Sequence, residues 1–250
     1  MVTIKSKEHI EAMRIAGKIL AETLELLKMS AKPGMTTKEL DRIAYDFIVK
    51  KNKAVPSFLN YNGFPATLCA SIDEEVVHGI PSHKRVLQQG SLLKVDCGVG
   101  WNGYHADAAR TIPIGDVSEE KFRLAKVTEE CFFEGIKVLR NGARLGTLGY
   151  TIQNHAEKNG FSVVRELIGH GIGSTVHEDP DVPNYGKEGR GMKVGTNMTL
   201  AIEPMLNLGR KEVWQYADGW TVATQDGSPS AHYENTVVIT DDGVEILTLL

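Results

Sequence analysis

Two aspartates, two glutamates and a histidine stand out as groups able to hold divalent cations: Asp96, Asp107, Glu203, Glu234 and His170. The aspartates come first. LLKVDCGV (92–99) alternates as a strand, Asn102-Gly103 is a hairpin turn, and YHADAARTIPI (104–114) returns. If Asn102-Gly103 is a two-residue turn, Trp101 pairs with Tyr104, Gly98 faces Asp107 and Asp96 faces Ala109. Asp96 and Asp107 are then diagonal neighbours on one face, roughly 7–8 Å apart at the backbone, so their carboxylates can converge. Gly98 and Ala109 are expected to leave open space beside them, and Leu93, Val95, Cys97 and Val99 on the other face read as core. Two like charges at ~4 Å repel by about 4 kcal/mol at an effective dielectric near 20. Convergence therefore calls for a metal, an arginine or a shared proton. An acidic pair in a hairpin is otherwise a solvated sheet face.

The second half supplies further candidates. His170 lies in Gly169-His170-Gly171-Ile172-Gly173, where flanking glycines allow close backbone packing and an unusual ring angle. His177 follows in a loop-like run. Glu203 ends the strand-like Thr199–Glu203 run, and Pro204 stops the ladder, presenting one carboxylate at a sheet end. Glu234 opens the last apolar strand, Tyr233 to Thr240, against its own strand propensity. Singly, each of these is an ordinary structural histidine or surface charge. Together, four carboxylates and one histidine make an oxygen-rich, imidazole-containing set suited to divalent first-row metals. Two such ions would neutralise the four carboxylates and activate a water for hydrolysis.

The elements that must carry these groups follow a repeated order. Residues 7–29 show helical spacing through Ile10, Met13, Leu20, Leu24 and Leu27, Lys32-Pro33-Gly34 breaks the helix, and Thr36 with Glu39 has capping-box spacing for a second. Short strands follow. The pattern restarts with a helix over 118–140, a break at Asn141-Gly142, a helix over 146–159, and strands to the end. Leu40 and Leu148 are 108 positions apart, as are Gly34 and Gly142. The expected architecture is one α+β domain, 1–250, built from two pseudo-symmetric halves of about 1–115 and 116–250.

Composition sets the outer bounds. The chain has 250 residues, 42% hydrophobic and 24% charged, with net charge −4. Nothing in that balance points to a nucleic-acid surface. Cys69, Cys97 and Cys131 form no disulfide framework and fit a reducing compartment. The opening MVTIKSKEHIEAMRIAGKIL interleaves charges with its apolar residues, unlike a secretory signal, and no stretch approaches the ~18 apolar residues of a membrane span. The expected location is the cytosol, with no membrane contact.

The ordered set Asp96, Asp107, His170, Glu203, Glu234 resembles the five-ligand signature of methionine aminopeptidases. The surrounding words are similar too: NYNGFP (60–65), HGIP (78–81), VDCGV (95–99), YHADAART (104–111), GHGIG (169–173) and IEPM (202–205). The resemblance runs through nearly the whole chain and is to the short bacterial type I form, without a zinc-binding extension or the insertion of type II members. It implies the pita-bread (creatinase/aminopeptidase) fold and removal of the initiator methionine from nascent polypeptides with small second residues. It also implies two divalent ions per chain (cobalt, manganese, iron or zinc), action as a monomer, and work beside the ribosome.

By the same resemblance Asp96 chelates one ion, Asp107 and Glu234 bridge the pair, and His170 and Glu203 complete the other shell. Glu203 also takes the proton of the attacking water. His177 donates to the scissile carbonyl oxygen, and His78 contacts the amide or the second residue. Tyr61, Phe64, Cys69 and Trp220, with Phe58 and Val176 nearby, form the methionine pocket, where aromatic–thioether contacts are worth about 0.3–1.5 kcal/mol each. Val176, Phe58, Phe64 and His232 depart from the usual phenylalanine, cysteine, tyrosine and glutamine. His105 is expected on the strand face opposite Asp107, in a structural role. Three other readings compete: a proline-specific peptidase of the same fold, a non-catalytic binding module of that fold, and a mononuclear iron oxygenase, which four carboxylates at one centre disfavour.

Overall fold

Ser6 starts the first helix by accepting the His9 amide on its hydroxyl, and α1 (Lys7–Ser30) follows. Thr36 and Glu39 form the expected capping box ahead of α2 (Thr37–Tyr45), which runs into a π-helical turn over Asp46–Lys51. The computed structural model describes residues 2–250. Next come β1 (Val55–Pro56), β2 (Leu68–Ile72), β3 (Glu75–Val77) and the long hairpin β4 (Leu92–Trp101) and β5 (Tyr104–Pro113). The sheet order is β1-β4-β2, with β5 on β4. The hairpin register is the expected one, with Trp101 opposite Tyr104, Gly98 opposite Asp107 and Asp96 opposite Ala109. Leu93, Val95, Cys97 and Val99 are fully buried against Ala16, Leu20, Leu24 and Leu27 of α1. Period-2 alternation therefore sends one face of β4 to the core and the acidic face away from it.

The chain then repeats the order. Ser118 caps α3 (Glu119–Ile136), and α4 (Leu145–Lys158) packs beside it. The helix expected over 118–140 stops at Ile136, because the Val138 and Leu139 amides turn to the carbonyls of Gly135 and Ile136 in a tightened last turn. The remaining strands are β6 (Ser162–Val163), β7 (Gly169–Gly171), β8 (Glu178–Val182), β9 (Thr199–Ile202), β10 (Met205–Asn207), β11 (Val213–Gln215), β12 (Val222–Thr224), β13 (Ser230–His232), β14 (Asn235–Ile239) and β15 (Val244–Ile246). One sheet runs β15-β14-β9-β7-β8, and smaller ones run β13-β10-β6 and β11-β12-β3. A second core joins Leu124, Phe132, Leu148 and Ile152 of the helices to Leu200, Ile202, Val237 and Ile239.

The two sheet systems meet along β5. The Glu234 amide donates to the Ala109 carbonyl at 3.0 Å, and Ala109 returns a bond at 3.4 Å. Thr236 Oγ1 both accepts from the Asp107 amide and donates to the Asp107 carbonyl, each at 2.8 Å. Arg110 donates to the Glu234 carbonyl, Asn235 Oδ1 and the Thr248 carbonyl. This seam brings the first half's aspartates to the second half's glutamate. It also explains why Glu234 precedes β14 instead of opening it: its backbone pairs with Ala109, while β14 pairs with β9 only from Asn235 onward.

Gly17 on α1 lies where a Cβ would come within 2.1 Å of the Leu247 carbonyl oxygen. Gly17→Ala forces the C-terminal strand off the helix and is expected to destabilise the protein by about 1–3 kcal/mol, read as a lowered urea or thermal midpoint. An unchanged midpoint would mean that this contact does not constrain the packing.

Candidate active site

β4 and β5 carry Asp96 and Asp107, β7 carries His170, and Glu203 and Glu234 sit at the ends of β9 and β14. All five come together. Asp107, His170 and Glu234 offer ligand atoms within 4.8 Å of one another. His170 Nε2 lies 4.0 Å from Asp107 Oδ2 and 3.7 Å from Glu203 Oε1. His170 Nδ1 meets the Gly171 carbonyl at 2.9 Å. A carbonyl only accepts, so Nδ1 carries the proton and Nε2 presents a lone pair to the carboxylates. Burial, with His177 nearby, pushes the His170 pKa down to about 4, which keeps the ring neutral.

The carboxylates are displaced the other way. Burial raises Asp96 to about 7. Asp107 is driven well up by burial and then by Glu234 and Asp96, Glu203 by burial and then by Asp96 and Asp107, and Glu234 by burial and then by Glu203 and Asp96. Asp96 Oδ1, Asp107 Oδ1 and Glu234 Oε1 are buried without a hydrogen-bond partner. Arg110 and Lys94, on the same hairpin, spend their donors on carbonyls and Asn235 instead. A cluster of acceptors facing one another, with an imidazole lone pair among them, fits a divalent cation. No arginine donor is left to balance it, because Arg110 is spent on carbonyls and Asn235.

A cavity of about 230 Å³ contains these groups together with His78, His177, Phe58, Tyr61, Asn62, Phe64 and Trp220. Phe64 and Trp220 meet edge to face at 5.1 Å between centroids. Cys69 and Val176 belong to the buried apolar cluster that also contains Phe58, Phe64 and Ala66. His177 Nδ1 meets the Tyr61 hydroxyl at 3.1 Å, and its ring lies 4.1 Å from that of His170. His78 holds a left-handed backbone (φ 60), rare outside glycine and a form of strain that collects at functional sites. Burial lowers its pKa to about 4, so it is neutral near pH 7.

Comparison with known proteins assigns this arrangement. The model of metallopeptidase family M24 matches residues 11–241. The chain belongs to metallopeptidase family M24. A methionine aminopeptidase of Clostridium acetobutylicum is 56% identical over 249 residues, covering 100% of this chain and 99% of that one. The crystal structure of a methionine aminopeptidase from Thermotoga maritima superposes with a TM-score of 0.98 at 40% identity, over 100% of both chains. An Xaa-Pro dipeptidase from Bacillus anthracis shares the fold at a TM-score of 0.77 but only 20% identity, and this chain spans 61% of it. The fold is therefore the M24 pita-bread fold, and the family's metal dependence agrees with the acceptor cluster.

Several local expectations differ from this M24 site. The space beside Asp107 is not open: a Cβ on Gly98 would come within 2.8 Å of Ser57 Cβ and 2.9 Å of the Phe58 ring. Glycine there admits the pocket wall against the hairpin. His105 does not face away from Asp107. Residues two apart in a strand share a face, and His105 pairs with Gly100 and meets Ser57 Oγ through Nδ1 at 2.8 Å. Asn62 lines the cavity and carries no role in the sequence reading; its signal was the Asn62-Gly63 turn between Tyr61 and Phe64, with Asn62 at φ 50.

The carboxylate shifts set a pH dependence. A carboxyl whose folded pKa exceeds its unfolded value (about 4) makes the folded state bind more protons, so stability falls as pH rises between the two values. On the Asp96 figure of about 7, chelator-stripped protein loses stability from about pH 4 to pH 7. Added manganese should raise the unfolding midpoint far more at pH 7.5 than at pH 5, as calorimetry will read. Equal gains at both pH values would count against a carboxylate site.

Proposed function

We propose that this M24 chain removes the N-terminal methionine from new polypeptides by metal-dependent hydrolysis, favouring small second residues. The observation that carries it is the convergence of Asp96, Asp107, His170, Glu203 and Glu234 inside a cavity that also contains Phe58, Phe64 and Trp220. Sequence identity of 56% to a methionine aminopeptidase over the full chain supports the same reading. The protein acts as a single catalytic domain, a monomer in the cytosol, on nascent chains at the ribosome.

Asp96, Asp107, His170, Glu203 and Glu234 hold two divalent cations, of cobalt, manganese, iron or zinc. Such a pair neutralises the carboxylates, lowers the pKa of the attacking water and polarises the scissile carbonyl. Glu203, with its folded pKa raised, accepts the proton of that water. His177 has Nδ1 engaged by Tyr61, which leaves Nε2 to donate to the carbonyl oxygen as charge develops there. His78 is held neutral and fixed in place, and contacts the substrate amide or second residue. Tyr61, Phe64 and Trp220 surround the methionine thioether, with Phe58, Cys69 and Val176 packed around them.

Release of free methionine from Met-Ala-Ser, but not of leucine from Leu-Ala-Ser, is expected only when manganese or cobalt is returned to stripped protein. A folded protein inactive with every metal would overturn the reading in favour of a binding module. His177→Ala should lower kcat by about 10²–10³-fold with little change in KM, the usual cost of losing one donor to a developing oxyanion. A change in KM alone would assign His177 to substrate binding instead.

A further inference from the structure

His232 is a site imidazole with both ring nitrogens buried and neither hydrogen-bonded. It ends β13 at 1% exposure. Its amide donates to Thr111 Oγ1 at 2.9 Å, and that hydroxyl donates to the His232 carbonyl at 2.9 Å. Met205 pairs with it from β10. The root of the side chain is thus clamped between two strands. Neither ring nitrogen has a hydrogen-bond partner. Nε2 lies 3.7 Å from Glu203 Oε2 and 4.0 Å from Glu234 Oε2. His170 Nε2 approaches the other oxygen, Glu203 Oε1, at 3.7 Å. The Glu203 carboxylate therefore sits between two imidazoles, one to each oxygen.

The two rings are not equivalent. The Gly171 carbonyl commits His170 to a bare Nε2, the form that ligates metal. Nothing commits His232, and a neutral imidazole with two carboxylate oxygens before Nε2 is drawn to the tautomer with its proton there. A buried N–H left unpaired is costly, so the proton favours the nitrogen that faces an acceptor.

We propose that His232 is a positioning residue that donates its Nε2–H to Glu203 Oε2 and so fixes Oε1 toward the metal. For this bond the 3.7 Å between Nε2 and Oε2 must shorten to hydrogen-bond length when the site is loaded. The bond sets which Glu203 oxygen is a ligand and holds the carboxylate that takes the proton from water. This rests on the dinuclear reading given above.

The test is calorimetric titration of stripped protein with manganese, joined to Met-Ala-Ser kinetics and the visible absorption of cobalt-loaded protein. His232→Leu is expected to bind manganese about tenfold or more weakly and to lose about 10–100-fold in kcat, the usual effect of removing a group that orients a metal ligand. KM should hardly move. His232→Gln keeps an N–H donor and should restore both quantities to within about threefold, with the cobalt spectrum of the wild-type protein. If His232→Leu does not fold, His232→Asn, too short to reach Glu203, takes its place with the same expectation. Wild-type affinity and rate in the leucine variant would reduce His232 to packing and overturn the proposal. A cobalt spectrum altered in His232→Gln would make the imidazole itself a ligand and overturn it equally. Failure of the wild-type protein to take up any ion would bring down the dinuclear reading, and the proposal with it, and is recognised because it needs no variant.

Discussion

Four carboxylates forced together without a cationic side chain among them are the constraint on which the rest of the molecule depends. Each close pair costs several kcal/mol at ~4 Å. A flexible framework would relieve this by letting the groups swing into water. The seam along β5 prevents that relief. Bonds from Glu234 to Ala109, from Thr236 to Asp107 and from Thr111 to His232 pin backbone beside the charged side chains. The repulsion is left for protons or cations to relieve, and near neutral pH cations do it better.

Holding that seam requires stiffness on both sides. Leu93, Val95, Cys97 and Val99 fix the hairpin to α1. Leu200, Ile202, Val237 and Ile239 fix β9 and β14 to α3 and α4. The polar faces of these same strands, or the residues just past their ends, carry the ligands. Burial of one face thus sets the position of charges on the other. The second half contributes its ligands from strand ends and a glycine-flanked strand, where a Cβ on Gly171 would come within 2.1 Å of the Asp179 carbonyl oxygen. Close approach of backbone there is what brings His170 in to the carboxylates.

The hairpin was fully legible because period-2 alternation and an Asn-Gly turn determine register by local rules. The capping box at Thr36 and Glu39 was legible for the same reason. What failed was non-local or a matter of volume. That Phe58 would fill the space over Gly98, or that Glu234 would pair with Ala109, depends on contacts between distant segments, which no window of sequence contains. The face of His105 was a different failure: alternation alone places it with Asp107, and the register agrees. Cavity-lining residues such as Trp220 and Phe64 carry no pattern that separates them from core, so only resemblance to a family could single them out.

The apolar cluster lies beside the carboxylates and sets how much side chain can enter next to them. Phe58, Phe64, Ala66, Cys69 and Val176 pack as one buried group, with Tyr61 and Trp220 against it, and Phe58, Tyr61, Phe64 and Trp220 line a cavity of about 230 Å³. That volume is shared between the ligands and whatever side chain enters. Walls that stabilise the fold by excluding water therefore also limit the side chain that the cavity admits. The same exclusion of water lowers the dielectric around the carboxylates and strengthens their hold on the cations. The space open to a side chain and the electrostatics of the carboxylates thus arise from one packing arrangement.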